Sequence, residues 1–266
     1  MPDQFDLHRE PELVFQAINE ERYAEFYDLE LTGFSDDLNF YRRHCPATSK
    51  VLELGCGSGR LCRALTTDGT QVTGIDLSFP MLQRAKAQSN QAIHYLQMDM
   101  SRLCLNETFD SVICAYNTLG LLQRPETICH CLRQVSRLLS PKGKLLLHLY
   151  VADKALTKLG RTRQFQFQFI DHPQGGRIIK ETLKGYSASE QLIVLEERYR
   201  VRPMQDGKGN EDLNHTLHLS ALSHRQWLNL VQSIGFIVEE QFSDYDLSPY
   251  RGGNRLLLKA SLSQTL

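Results

Sequence analysis

The sequence predicts a doubly wound α/β fold, and three observations lead there. Apolar runs of strand length alternate with amphipathic helical stretches from residue 50 to 150. A glycine-rich turn closes the first of those runs. After residue 160 the grammar switches to strict alternation, the mark of a small antiparallel sheet with one polar face.

Taken in order, residues 11–29 predict a helix: Pro11 suits a first helical position, and Val14, Ile18, Tyr23, Phe26 and Tyr27 recur at three- and four-residue spacing. Asp36-Asp37 opens a second helical segment, LNFYRRHC, so that residues 1–48 make an N-terminal helical cap. Strands are predicted at VLEL (51–54), QVTGI (71–75), AIHYL (92–96), FDSVICAY (109–116) and KLLLHLY (144–150). Helices intervene from about Ser58, from Pro80 to Gln88 and from Pro125 to Leu139, with Pro141-Lys142-Gly143 as a turn before the fifth strand. Such alternation means βαβ crossovers and a parallel sheet covered on both faces. Residues 153–221 form the antiparallel insertion, with QFQFQFI (164–170), a Gly175-Gly176 turn, RIIKETLKGY, QLIVLEERYRV and TLHLSAL. The alternation should place Phe165, Phe167 and Phe169 on one face as an apolar layer against the core or a bound acceptor, with a dimer interface as the alternative. A helix over His224–Ile234, stopped by Gly235, and the strands FIVEEQF (236–242) and RLLLKASL (255–262) return the chain to the core, which comprises 49–152 and 222–266.

Composition excludes several functions. With 30 Lys+Arg against 31 Asp+Glu the formal net charge is −1, which sets up no field for a polyanion, so nucleic acid is not an expected partner. The seven cysteines contain no CxxC pair, which argues against structural zinc and a redox dithiol and for a reducing cytoplasm. On a helix, Cys129 and Cys131 of Cys129-His130-Cys131 point apart and cannot share an ion, so no metal is expected. The polar start MPDQFDLHRE lacks a signal peptide's apolar stretch, and no apolar run approaches a membrane span. A cytoplasmic monomer or homodimer is the expectation.

The segment Val51-Leu52-Glu53-Leu54-Gly55-Cys56-Gly57-Ser58-Gly59-Arg60 is a strand, a glycine turn and a helix start, the place where doubly wound sheets bind ligands. A dinucleotide fingerprint starting at Gly55 would need glycine where Arg60 stands. The spacing is instead E-x-G-x-G-x-G. Asp76 falls 21 residues after Gly55, at the tip of the second strand, where a carboxylate can accept both hydroxyls of a ribose.

Here the chain resembles the class I S-adenosylmethionine-dependent methyltransferases. ELGCGSGR resembles that family's first motif, GIDLSFPML (74–82) the second, QMDM (97–100) the adenine-contacting segment, VICAYNTLGLL (112–122) the fourth-strand motif and LSPKGKLLLHLY the fifth strand with its turn. The resemblance implies a Rossmann-like seven-stranded sheet whose last strand is antiparallel, with S-adenosylmethionine as cofactor and S-adenosylhomocysteine as product. It places Glu53, Gly55, Cys56, Gly57, Asp76, Leu77, Met81, Asp99, Met100 and Tyr116 around the cofactor. Tyr27-Asp28 and Asp37-Leu38-Asn39-Phe40-Tyr41 match an N-terminal pattern that closes over it, which adds Tyr27 and Tyr41. Tyr27 and Asn117 are the candidate catalytic residues, Asn117 either orienting an acceptor or capping its turn. His148, His215 and His218 read as a core histidine and two strand positions that only three-dimensional placement can raise further.

The place after the fourth strand reads Ala115-Tyr116-Asn117-Thr118, without the Pro-Pro-aromatic run of nucleic-acid N-methyltransferases, and Cys114 follows Ile113 rather than the proline of cytosine C5 enzymes. The insertion resembles those of small-molecule N-methyltransferases, although Gly120-Leu121 stands where the nucleotide-sugar dimethyltransferases carry a histidine. The expected activity is therefore methyl transfer to nitrogen or oxygen of a small-molecule acceptor by in-line displacement. The alternatives are a protein or RNA methyltransferase and a non-catalytic cofactor-binding protein.

Overall fold

The computed structural model describes residues 15–66, 69–89, 93–152, 154–158, 163–204 and 209–263. In chain order the elements are β1 (Gln16–Ala17), α1 (Glu20–Glu30), α2 (Leu38–His44), β2 (Lys50–Leu54), α3 (Arg60–Leu65), β3 (Gln71–Asp76), α4 (Phe79–Ala87), β4 (His94–Gln97), β5 (Phe109–Cys114), a 3₁₀ turn (Thr118–Leu122), α5 (Pro125–Leu138) and β6 (Leu139–Tyr150). There follow α6 (Lys154–Lys158), β7 (Gln164–Asp171), β8 (Gly176–Ser187), β9 (Leu192–Pro203), β10 (Glu211–Ser220), α7 (His224–Ser233), β11 (Phe236–Phe242) and β12 (Arg255–Leu262).

Seven strands form the main sheet in the order β11-β12-β6-β5-β2-β3-β4. The pairs from β6 to β4 are parallel, whereas β12 runs antiparallel to both β6 and β11. The doubly wound fold with an antiparallel end is thus the observed one. Pairing jumps from Phe109↔Leu139 to Ser111↔Lys144, which accommodates the Pro141-Lys142-Gly143 turn as an irregularity at the start of β6. Valine, leucine and isoleucine side chains bury both faces of the central strands, as a parallel sheet between helices requires. On one face lie α5 and α7, with Trp227 fully buried and donating its indole N–H to the Tyr150 carbonyl at 2.9 Å. On the other lie α2 and α3, through Phe40, Tyr41, Leu61 and Leu65. Among the described residues no helix is long and apolar enough to cross a membrane.

The first helix departs from expectation. Pro11 and Val14 lie outside the described residues, and Gln16–Ala17 is not helical but pairs in parallel with Leu213 and Asn214 of β10. The helix begins only at Glu20, because the Asn19 side chain accepts the Arg22 N–H at 2.8 Å and makes a better cap than an interior residue.

The second sheet runs β1-β10-β9-β8-β7. Its register corrects the reading of β7. Ile170 pairs with Ile178 and Gln168 with Lys180, so the glutamines share the face that packs on α1. Phe165, Phe167 and Phe169 occupy the opposite face and stand 56%, 61% and 56% exposed. A strand pattern of period two leaves open which of its two sets faces inward, and here the parity goes against the aromatic set.

Candidate active site

A cavity of about 550 Å³ opens between the C-terminal ends of β2, β3 and β5 and the inner face of the second sheet. Its floor is built by the two turns that the sequence singles out. After β2 the backbone takes positive φ at Gly55 (67°) and Gly57 (54°). A Cβ on Gly55 would sit 2.2 Å from the Thr118 methyl group, whereas one on Gly57 would project between the Tyr27 ring (3.5 Å) and the Met81 sulfur (4.0 Å). The first glycine lets two turns touch, and the second keeps the cavity open.

Asp76 ends β3 and lines the cavity. Its Oδ2 accepts the Gly57 N–H at 2.8 Å and its Oδ1 the Ser78 N–H at 2.9 Å, so one carboxylate ties both floor turns together. Burial raises its pKa above the usual carboxylate range despite those two bonds. Leu77 and Met81 also line the floor, Leu77 being 68% exposed.

The turn after β5 supplies the third side. Tyr116 and Asn117 both adopt left-handed backbone conformations, φ 52° and 64°, a strain typical of functional positions. Asn117 does not cap the 3₁₀ turn with its side chain, and its buried Oδ1 has no hydrogen-bond partner. Tyr116 meets Tyr27 edge-on at 6.5 Å. Burial pushes the Tyr27 and Tyr116 hydroxyls up, which keeps both phenols neutral.

Gly55, Gly57, Asp76, Leu77, Met81, Tyr27, Tyr116 and Asn117 are therefore brought together on one cavity. The remaining anticipated residues sit off it. Tyr41 is fully buried against Phe40 and Tyr245, its hydroxyl unpartnered. Asp99 closes a local turn by accepting the Ser101 N–H at 2.7 Å, and Met100 packs on the core. Cys56 turns beneath the loop, where its sulfur and that of Cys62 crowd Gly74. Glu53 lies under the same loop and accepts from the Cys62 thiol at 2.9 Å, not from loop amides. His148 is a core histidine: its Nδ1 is 2.7 Å from the Tyr245 hydroxyl, and burial pushes it down to about 3. Cys131 is buried in the core, and Cys129 is half-buried on α5.

Burial pushes Glu53 up to about 8, against the pull of the Cys62 thiol and Arg60. Between the ordinary glutamate pKa and that value, the folded chain holds a proton that the unfolded chain has released. This group's contribution to stability therefore falls as pH rises from about 4.5 towards 8. Glu53→Gln is expected to gain on the wild type in thermal midpoint as pH is raised from 5 to 8. A constant difference across that window would show that Glu53 is ionised in the fold.

Sequence reasoning expected the insertion as a lid and named Tyr23 and His215, but it missed the charged residues of the roof. Lys180 of β8, Glu197 of β9 and His215 of β10 line the cavity together with Tyr23 and Glu30 of α1. Lys180 is 9% exposed at its side chain and bridges Glu30 (2.6 Å) and Glu197 (2.7 Å). Burial alone would lower its pKa, but Glu197 and Glu30 outweigh that and hold it above the ordinary lysine value. The available signal was parity. Lys180 and Glu197 occupy the alternation positions of Ile178 and Tyr199, where a solvated face would not carry large apolar residues.

Comparison with known proteins agrees with this geometry. Residues 51–143 match a family model described as a methyltransferase domain. The Bacillus subtilis protein YqeM, named as a methyltransferase, is 26% identical over 225 residues, covering 83% of this chain and 87% of its own. Several other curated relatives match over only about half of their length. Among solved structures, the sugar N-methyltransferase KedS8 from Streptoalloteichus superposes with a TM-score of 0.76 at 18% identity, covering 94% of this chain and 96% of that one. CalS10, an amino pentose methyltransferase from Micromonospora echinaspora solved with S-adenosylmethionine bound, superposes with a TM-score of 0.69 at 19% identity, covering 96% and 100%. Residues 51–143 thus match a methyltransferase domain, and the chain has the fold of S-adenosylmethionine-dependent methyltransferases.

Proposed function

We propose that the protein transfers the methyl group of S-adenosylmethionine to nitrogen or oxygen of a small-molecule acceptor by in-line displacement, in a reducing cytoplasm. One observation carries this reading: one and the same cavity is floored by the glycine loop and Asp76 and roofed by the insertion. The insertion thus completes an acceptor compartment of small-molecule size, in keeping with the sugar N-methyltransferase title of a structural neighbour.

The Cβ-free surface at Gly57, between Tyr27 and Met81, fits the cofactor's chain, and Asp76 fits the two hydroxyls of its ribose. Leu77 and Met81 offer an apolar bed for the adenine, and the Tyr116 backbone and the Tyr27 ring close the methionine end. Glu53 and Cys56 support the loop from below, and Asp99 and Met100 border the adenine end from the neighbouring strand. When bound, the cofactor supplies a methyl group on a sulfonium whose thioether leaves without protonation. The chain's own task is to position the acceptor and exclude water, effects that can together lower a barrier by ~7–11 kcal/mol. Asn117 suits the orienting role, because its Oδ1 is buried, unpartnered and on the cavity wall.

S-adenosylhomocysteine at roughly a hundredfold excess over its Kd should raise the melting midpoint, and NAD at equal concentration should not. Label from methyl-tritiated S-adenosylmethionine should then appear in the small-molecule fraction of a cell extract. Label confined to protein or RNA would refute the acceptor class.

A further inference from the structure

The roof of the cavity contains a group that no step so far has used. His215 lies directly opposite Glu197 in the β9–β10 register, with its Nδ1 3.6 Å from the Glu197 carboxylate. That nitrogen is buried, and the Glu197 carboxylate is the group it faces. The ring is held by Tyr23, whose centroid lies 4.2 Å away. Glu197 is itself fixed by Lys180 at 2.7 Å and by the Tyr199 hydroxyl, which donates to it at 3.1 Å. A histidine backed by an anchored carboxylate is the arrangement of a proton acceptor, the carboxylate orienting the ring and stabilising the imidazolium.

Its neighbours narrow the choice of base and of acceptor. The titratable groups around His215 are Tyr23 and Glu30 of α1, Lys180 of β8, and Glu197 and Tyr199 of β9. Lys180 is locked between two carboxylates and has no lone pair to offer, and those carboxylates are taken by Lys180. Burial keeps the tyrosines protonated. Among these groups the His215 imidazole can take up a proton without breaking an ion pair. On the acceptor side of the cavity Glu20, Glu30 and Glu197 outnumber Lys180, and Tyr23, Tyr27 and Tyr116 add aromatic rings to the wall. Excess negative charge together with aromatic faces selects a cationic head group. Much of the remaining wall is apolar, with Ile18, Leu121, Leu195, Leu217 and Leu219, and favours a hydrocarbon body over a polyhydroxylated one.

We propose that His215, positioned by Glu197, takes the proton from the ammonium group of a primary or secondary amine carried on an apolar body, and that such amines are the acceptors. The proposal rests on the methyl-transfer reading above. The ammonium N–H bond breaks and its proton passes to His215, leaving the electron pair on nitrogen. That pair forms the new N–CH₃ bond while the methyl–sulfur bond breaks and its electrons return to sulfur as S-adenosylhomocysteine. The product leaves as the methylated ammonium, and His215 returns its proton to water.

The test uses the full-length protein with 2-phenylethylamine and hexylamine, set against 2-phenylethanol and hexanol. Calorimetry on the S-adenosylhomocysteine complex should show binding of the amines and not the alcohols, with Glu197→Gln weakening amine binding at least about tenfold, 1.4 kcal/mol. Methyl transfer should go to the amines. His215→Asn should lower kcat at neutral pH by about 10²–10⁴-fold, the usual contribution of a general base, with S-adenosylhomocysteine affinity within about twofold as evidence of folding. The residual rate should climb about tenfold per pH unit as free amine accumulates in solution, a profile that a merely structural role would not produce. His218→Asn, on the opposite face of β10, should leave the rate unchanged. Preference for the alcohols, undiminished turnover in His215→Asn, or no amine bound or methylated by a protein that binds S-adenosylhomocysteine would each overturn the proposal while sparing methyl transfer. Failure of the wild type to bind S-adenosylhomocysteine would overturn both.

Discussion

Lys180→Met is expected to cost about 3–5 kcal/mol of folding stability, the usual penalty for removing one partner of a buried ion pair. The ammonium sits between Glu30 and Glu197, and its side chain is 9% exposed, against 19% and 6% for the two carboxylates. Methionine nearly matches the aliphatic stem, so little packing is lost. What remains is two carboxylates facing each other across a space from which their counter-charge has gone. They can recover only by taking up protons, so the deficit should shrink as pH falls towards the carboxylate range. The double variant Lys180→Met/Glu197→Gln should recover part of the loss, because it leaves a single acid there. Chemical denaturation at pH 5 and 8 measures all three quantities. A loss below about 1 kcal/mol at pH 8, the level of an exposed pair, would mean that water reaches the triad.

Asp76→Ala should weaken S-adenosylhomocysteine binding about 100-fold, or 2.7 kcal/mol, within the ~1.5–3 kcal/mol span of hydrogen bonds to a charged group. Two losses combine. The ribose hydroxyls lose their acceptor, and the Gly57 and Ser78 N–H groups lose the carboxylate that aligns their turns before a ligand arrives. Asp76→Asn separates these effects, since its amide keeps one acceptor oxygen for a single turn and presents a donor to the other. It should fall between wild type and alanine in calorimetric affinity. Wild-type affinity in the alanine variant would place the ribose elsewhere.

The cavity floor was legible because it is local. Gly55, Gly57 and Asp76 stand at strand ends, and the strand-turn-helix grammar that places them is written within about 25 consecutive residues. The roof was expected from the insertion, but its charged triad was not legible, because that chemistry depends on strand parity and on partners distant in sequence. Lys180 meets Glu30 across 150 positions, and nothing near either residue announces the other. The same parity misplaced Phe165, Phe167 and Phe169, whose inward or outward direction is decided by the register Ile170↔Ile178 and not by their own alternation. Tyr41 shows the opposite limit: its motif is local and was found, but its burial between Phe40 and Tyr245 is a tertiary outcome.

The short pairing of β1 with β10 and the Arg22–Glu211 ion pair join the start of the described chain to a segment 189 residues later. A ribosome adding about 5–20 residues per second needs roughly 10–40 s to cover that distance. During that interval α1 has emerged, but the strand it leans on has not been made. The parallel strands β2 to β6 can collapse meanwhile, since their contacts close within shorter loops. A nascent chain arrested before β10 should therefore hold a protease-resistant sheet behind a cleavable amino-terminal segment. The cavity beneath the second sheet then takes shape only after the parallel strands have collapsed.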